Sequence, residues 1–558
     1  MNPSQPGASD TQDSLQVTKV EHPRARWFGL FFVALGVAMI IVDATIVNVS
    51  IPSIIDDLGI TSSQAQWVQE AYTLVFAAFL LMFGRLADRW GRRRLFLIGV
   101  VIFMLASVLA AAADSGGTLI GARLLQGIGG AMMLPTSLSI INAGFRGKDR
   151  AIAFAVWGST IGGTAALGPL LGGWLTTDFS WRWAFGINVP LGIAVFVGTW
   201  IFISESKDAE ADTGVDIAGA LLSVLGIGLI VFGLIEGRNY GWWTTLGEPG
   251  VGDWKWPWAL SPVPLAFLLG AVLLTVFALL ELRRNRAGKT VLLDLSLFSL
   301  PSFRNGNIAA AIVSLGEFGL LFALPLWLQN VLNYSAFRTG QILLALALGS
   351  FVASGFGAAL TQRRGPIFVV RLGIVAEIIG VAGIGLMASP TANIWPIIGF
   401  LFVYGLGVGL ATAQLTGVVL ADVPVAASGQ GSGIQSTMRQ LGSALGIAIL
   451  GTILFTGLGS QLTQKLDAVP GLPPAQSQQT VSAVVSSAGS IIPMLAKNPA
   501  TEPVAKAAGE SLSTATRWAA FAAAGFLVLG FLASLSLGAS KPLGDPDPPG
   551  MDAEPGLA

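Results

Sequence analysis

The chain has 558 residues, 53% of them hydrophobic and only 11% charged, where a soluble globular protein carries roughly 25% charged residues. So little polar surface excludes a soluble fold of this size, and so much apolar content excludes a disordered chain, which leaves an integral membrane protein. Lys plus Arg equals Asp plus Glu at 31 each, so net charge points to no polyanionic partner and no nucleic acid is expected. There is no Cys, and the one His, His22, lies in a polar stretch. Thiol chemistry is thereby excluded, and neither a metal centre nor His catalysis is expected.

Residues 1–26 read as a polar N-terminal tail without a short apolar signal core, so the run after it is a retained first helix. A bilayer core of roughly 30 Å takes about 20 apolar residues. In chain order that ruler predicts spans at 27–52, 66–84, 95–113, 117–142, 150–175 and 184–204. Two more follow at 214–236 and 262–282, then six at 304–330, 340–361, 367–388, 394–421, 434–456 and 517–538. These are fourteen spans, and an even count sets both termini on one side. Lipid satisfies no backbone group, so runs of this length are helices, and the short alternating segments of a β-barrel are missing. The long segment 457–516, rich in Ala, Ser, Gln and Pro, is either a small helical hairpin or a mobile loop; 539–558 is a polar C-terminal tail.

Basic residues orient the spans. Arg85, Arg89, Arg92, Arg93 and Arg94 follow the second span, and Arg146, Lys148 and Arg150 the fourth. Arg283, Arg284, Arg286 and Lys289 follow the eighth, and Arg363 and Arg364 the tenth. All lie on the side of the N-terminus, whereas loops 53–65, 113–117 and 388–394 carry no basic residue. Both termini are therefore expected in the cytoplasm, with the chain multi-pass in the cell (inner) membrane. One inside loop, with Glu205, Lys207, Asp208, Glu210 and Asp212, is mostly acidic. Trp27, Trp67, Trp174, Trp181, Trp183, Trp395 and Trp518 mark span ends as an interfacial belt. Trp242, Trp243, Trp254, Trp256 and Trp258 in 237–261 serve as anchors or as a binding lip.

The loop Gly84-Arg-Leu-Ala-Asp88-Arg89-Trp-Gly91-Arg92-Arg93-Arg94 is echoed eight spans later by Gly357-Ala-Ala-Leu-Thr361-Gln-Arg363-Arg364-Gly365. The echo suggests two six-helix halves, 27–204 and 304–538, with two inserted helices in 205–303. Such repeats are a construction of secondary transporters, with a site between the halves.

Four further segments stand in order along the chain. They are Asp43-Ala-Thr45-Ile-Val-Asn48; Arg123-Leu-Leu-Gln126-Gly127-Ile-Gly129-Gly130; Gly168-Pro169-Leu-Leu-Gly172-Gly173 followed by Trp181-Arg182-Trp183 and Asn188-Val-Pro190; and Arg439-Gln440-Leu-Gly442. With the Gly84–Arg94 loop they resemble the major facilitator superfamily, and within it the fourteen-helix drug:proton antiporter branch. The resemblance implies an all-α membrane fold of two six-helix bundles plus two inserted helices. It further implies proton-driven export of amphipathic or cationic compounds by alternating access, without enzymatic activity. The proton gradient takes the place of a cofactor, and the expected partners are the lipid bilayer, protons and a small amphipathic substrate, with the protein a monomer. An exporter of an endogenous lipid, siderophore or secondary metabolite is the alternative; a channel or membrane enzyme is the remote one.

Gly84 and Gly91 permit close helix approach, and Asp88, among Arg89 and Arg92, suits a helix N-terminus. The resemblance implies that this loop latches the outward-facing state; otherwise the arginines only set topology. Gly168, Pro169, Gly172 and Gly173 allow a kink and tight contact, and the resemblance marks them as an exporter motif. Ionisable residues inside spans are costly and are functional candidates. Asp43 lies roughly 13 Å and Arg123 roughly 9 Å from the outer ends of their spans. The two depths allow either a proton-coupling pair or a permanent bridge. Glu70, near the outer surface, and Glu317 and Glu377, near mid-depth, are further proton-coupling candidates. Glu317 with Phe318, Phe322 and Trp327 suits a lipophilic cation, and Asn48, Gln126 and Arg439 complete the expected substrate cavity. Snorkelling alone also accounts for Arg439.

Overall fold

The computed structural model describes residues 23–60, 62–164, 167–207, 216–247, 249–251, 254–287, 289, 291–467 and 473–538. His22, Asp208, Glu210, Asp212 and the side chains of Asn48, Pro169 and Trp254 lie outside the described residues. Among the described residues, ten α-helices precede residue 300: α1 (Pro23–Leu58), α2 (Ser62–Trp90), α3 (Arg92–Ala111), α4 (Gly116–Gly144), α5 (Gly147–Thr164), α6 (Leu167–Asp178), α7 (Arg182–Gly186), α8 (Asn188–Phe202), α9 (Ile217–Tyr240) and α10 (Pro262–Arg286). Eight follow: α11 (Pro301–Asn330), α12 (Ala336–Arg364), α13 (Pro366–Met387), α14 (Ile394–Val419), α15 (Ser428–Asp467), α16 (Pro474–Ser486), α17 (Ile492–Leu495) and α18 (Glu502–Leu535).

Among the described residues, twelve helices are long and apolar enough to cross a membrane, or thirteen with α12, which bends by 43° between Phe337–Ala353 and Gly355–Arg364. The expected span 150–175 falls on α5 and α6, which flank residues 165–166, and the expected span 184–204 falls on α7 and α8. Polar residues of the connections start the helices. Ser115 and Thr118 form a capping box on α4, and Asp216, Ser261, Ser335 and Asn393 each accept a first-turn amide of α9, α10, α12 and α14.

The echoed loops have the same backbone. A single glycine with positive φ, Gly91 (109°) or Gly365 (83°), turns α2 into α3 and α12 into α13. Packing repeats as well. In the first half α4 packs on α2 and α3, and in the second α14 packs on α12 and α13. Across the halves α2 meets α15 and α5 meets α12. The inserted α9 and α10 pair with each other, and α9 also covers α2 and α15, sealing one seam.

Segment 457–516 is the helical hairpin of the two readings. At 1.5 Å per residue α15 and α18 are roughly 60 and 51 Å long, well beyond a bilayer core. Their extensions and α16 bury Leu462, Leu466, Val484, Ala505 and Leu512 together. Segment 237–261 holds a two-stranded hairpin, β1 (Gly250–Val251) and β2 (Trp254–Lys255). Trp174, Trp183, Trp395 and Trp518 are exposed, as a lipid-facing belt requires. Trp181 is instead buried, its indole N–H donated to Asp57 at 3.0 Å. Arg182 also donates to that exposed carboxyl, and first Arg182, then Trp181, hold it below the usual carboxylate range.

Candidate proton-coupling and gating site

Asp43 projects from the middle of α1 and is wholly buried. A carboxylate there needs donors, and two other helices, α4 and α8, supply them. Arg123 of α4 donates from Nη1 to Asp43 Oδ2 at 2.5 Å and to Gln126 Oε1 at 2.9 Å, and from Nε to the carbonyl of Val68 at 2.9 Å. Gln126, nearly one turn on, donates to Asp43 Oδ1 at 3.1 Å, and Asn188 at the head of α8 donates to the same oxygen at 2.7 Å. Ser107 of α3 fixes both amides, accepting from Gln126 at 2.8 Å and Asn188 at 3.2 Å. The Arg123 guanidinium also lies 4.4 Å over the Tyr72 ring, a contact strengthened by desolvation. The two charges foreseen as a pair thus form one, and Gln126 sits in the carboxylate's own shell. Ser107, Tyr72 and the role of Asn188 are additions.

The glycines of α6 seat α1 beside this centre. A Cβ on Gly168 would collide with Thr45, two residues from Asp43, and one on Gly172 would lie 2.8 Å from the Ile46 carbonyl. At i and i+4 they share a helix face, so backbone meets backbone. Gly173 faces Phe337 of α12 instead, across the halves.

At the Lys/Arg-rich end, Asp88 closes α2 on α15. Its oxygens accept the amides of Gly429 (2.7 Å) and Gln430 (2.9 Å), in the first turn of α15, which has no acid of its own. A buried carboxylate on a helix N-terminus satisfies orphan N–H groups and the helix dipole together. Arg92 donates to Asp88 at 2.8 Å and to the carbonyl of Val425 at 2.6 Å, and Asn142 donates to Ser428 at 2.8 Å. Gly84 lets the helices touch, for a Cβ there would lie 2.8 Å from Gly433 Cα. Arg89 is half-buried at the same end. Gly91 has a second reason besides its φ: a Cβ would lie 2.5 Å from the Glu205 carboxyl, which accepts the amides of Arg93 and Arg94 and so caps α3.

These contacts continue into the inserted segment, which the sequence did not suggest. The Gln430 side chain accepts the Asp294 amide at 2.8 Å, and the neighbouring Leu293 amide goes to buried Glu281 of α10 at 3.0 Å. Asp216, which caps α9, lies 3.2 Å from Arg284.

The second half holds its own acids. Glu317 of α11 accepts from Thr412 of α14 at 3.0 Å and lies 3.8 Å from Arg439 of α15. Glu377 of α13 is wholly buried, and neither of its oxygens has a hydrogen-bond partner among the described residues. Phe318 and Phe322 are half-buried, Phe322 edge-on to Phe455. Trp327 is fully buried, its indole N–H donated to Ser513 at 3.0 Å, so it packs α11 on α18. Glu70 lines a crevice between α2 and α9 with Trp67, Phe232 and Glu236.

The sequence pattern of the Major Facilitator Superfamily matches residues 33–447. The chain is 35% identical over 455 residues to the probable actinorhodin transporter of Streptomyces coelicolor, spanning 79% of this chain and 75% of that one. It is 31% identical over 467 residues to the multidrug efflux pump LfrA of Mycolicibacterium smegmatis, spanning 84% and 87%. The human organic anion transporter MFSD10 shares its fold, with a TM-score of 0.56 at 14% identity over 92% of this chain and 100% of that one. Repeated packing, the motif loop bonded to the start of α15 and the sequence match agree: this multi-pass membrane protein belongs to the Major Facilitator Superfamily.

Proposed function

We propose that the protein is a proton-driven exporter of amphipathic and cationic compounds, working by alternating access with both termini in the cytoplasm. The observation that carries the proposal is the centre around Asp43. An ionised carboxylate at membrane depth is stable only while Arg123, Gln126 and Asn188 surround it, and these sit on α4 and α8. Any movement of α1 against them leaves the carboxylate short of donors, and a proton is the smallest group that restores balance. Re-forming the pair expels that proton. Helix movement and proton transfer are thereby one event, and a permanent bridge would serve no cycle.

The Asp88 latch supplies the second requirement, a gate between halves. In this reading it holds the Lys/Arg-rich side shut, and opening to the cytoplasm requires Asp88 to leave the α15 N-terminus. Glu317, Glu377 and Glu70 are further acids for proton movement, with Phe318, Phe322 and Arg439 the nearest candidates for substrate contact. The motif Gly168–Gly173 and the efflux relatives support outward transport. The relative that bears the name of actinorhodin favours a second reading, in which the cargo is a secondary metabolite of the producing cell; accumulation of such a compound in a deletion strain without changed drug sensitivity would select it.

The test is transport in proteoliposomes under an imposed pH gradient, with a panel of cationic and neutral amphiphiles. Gradient-driven flux is expected from the wild type and none from Asp43→Asn, at equal protein in the membrane. Unimpaired flux in that variant removes Asp43 from the mechanism.

A further inference from the structure

Glu377 lies on α13 between helices that give it nothing to bind. Its carboxyl is wholly buried with both oxygens unbonded among the described residues. The charged groups that act on it are Glu317 and Arg439. Arg439 lies beside Glu317, which is already bonded to Thr412. Tyr404 of α14 is the remaining titratable neighbour, and its hydroxyl is donated to the Glu317 carbonyl at 3.0 Å. Where α13 meets α18, Arg371 and Arg517 bond the carbonyls of Ser534 and Ala388, near the two ends of α13. The one ion pair that Arg439 makes among the described residues is thus with Glu317, and Glu377 is left without a cation.

An ionised, unpaired carboxylate at this position is strongly disfavoured, as any buried lone ion is; a neutral carboxyl is far less so. Space limits what else could neutralise it. Gly407 of α14 is pressed on the side chain so closely that a Cβ there would lie 2.5 Å from Glu377 Cγ. No organic cation fits between them. A proton does.

We propose that Glu377 carries a proton in this conformation and is a second proton-carrying site, separate from Asp43, so that an export cycle moves two protons. The proposal rests on the reading of the chain as a proton-driven exporter. During reorientation, water or the Arg439 guanidinium reaches the carboxyl, its O–H bond breaks and the proton leaves to water on the cytoplasmic side. The carboxylate is reloaded from outside when the helices return.

Two measurements test it. Infrared spectra of the reconstituted protein at neutral pH should show a protonated-carboxyl C=O stretch in the wild type and in Asp43→Asn, and lose it in Glu377→Gln. Glu317→Gln should weaken the same band without touching Glu377, because it frees Arg439, which keeps the test alive if Glu377→Gln fails to fold. A band unchanged in both glutamine variants overturns the proposal.

The second measurement is the steady-state ethidium gradient in proteoliposomes with the membrane potential clamped to zero. Losing one of two coupled protons lowers that gradient about tenfold per pH unit imposed. Coupled transport in Glu377→Gln with the wild-type gradient overturns the second-proton assignment alone. A wild type that moves no compound of the panel under a pH gradient overturns the exporter reading instead, while the infrared band still reports on Glu377.

Discussion

The acid centres of the two halves sit on corresponding helices and are wired in opposite ways. In each, an acid lies on the half's first helix, Asp43 on α1 and Glu317 on α11. The fourth helix supplies a donor, from Arg123 and Gln126 of α4 or Thr412 of α14. The third helix places a polar side chain nearby, Ser107 on α3 or Glu377 on α13. The first centre balances one carboxylate with one arginine at 2.5 Å and two amides. The second sets Glu317 against one arginine at 3.8 Å and one hydroxyl, with Glu377 left without a hydrogen-bond partner among the described residues. One scaffold thus offers an ion pair ready to be broken and an acid short of partners.

The comparison can be broken most sharply at the arginines. Arg123→Ala strands a buried carboxylate and should cost about 3–5 kcal/mol, seen as a large fall in melting temperature. Arg439→Ala should cost much less, because Arg439 is 12% exposed and farther from its acid. Equal losses would mean that both centres are ordinary bridges. Gly168→Ala pushes α6 off Thr45 and should cost about 1–3 kcal/mol by overpacking; transport and thermal stability should fall together. A variant of wild-type stability would remove this contact from the support of the Asp43 centre.

Asp88→Asn keeps an oxygen for the α15 amides but leaves buried Arg92 without its carboxylate, so it too lowers stability, and it acts on the gate. Since the chain has no Cys, a single Ser432→Cys reports on the seam alone. Its maleimide labelling from the cytoplasmic side should speed up in Asp88→Asn, and labelling at the wild-type rate would show that Asp88 does not hold the halves.

The spans were legible because apolar runs of bilayer length have few other folds. The extensions of α15 and α18 were not, since the Ala/Ser/Gln stretch is helical without being hydrophobic and its register comes from packing Leu462, Val484 and Leu512. Asp43 and Arg123 were legible because a charge in lipid demands a partner. Asn188 stood in a motif but lies 145 positions from Asp43, and Ser107 is neutral, so neither announced itself as part of the Asp43 centre. The partners of Asp88 are backbone amides, which carry no sequence signal, and the Glu205 seat required the backbone turn at Gly91.

The central claim is that breaking and re-forming the Asp43 centre couples transport to protons. The direct measurement compares two modes of Asp43→Asn in one set of proteoliposomes. Substrate-for-substrate exchange without a pH gradient should persist, because the carrier still reorients, while uphill transport driven by a pH gradient should vanish. Uphill transport at the wild-type rate in that variant would contradict the account.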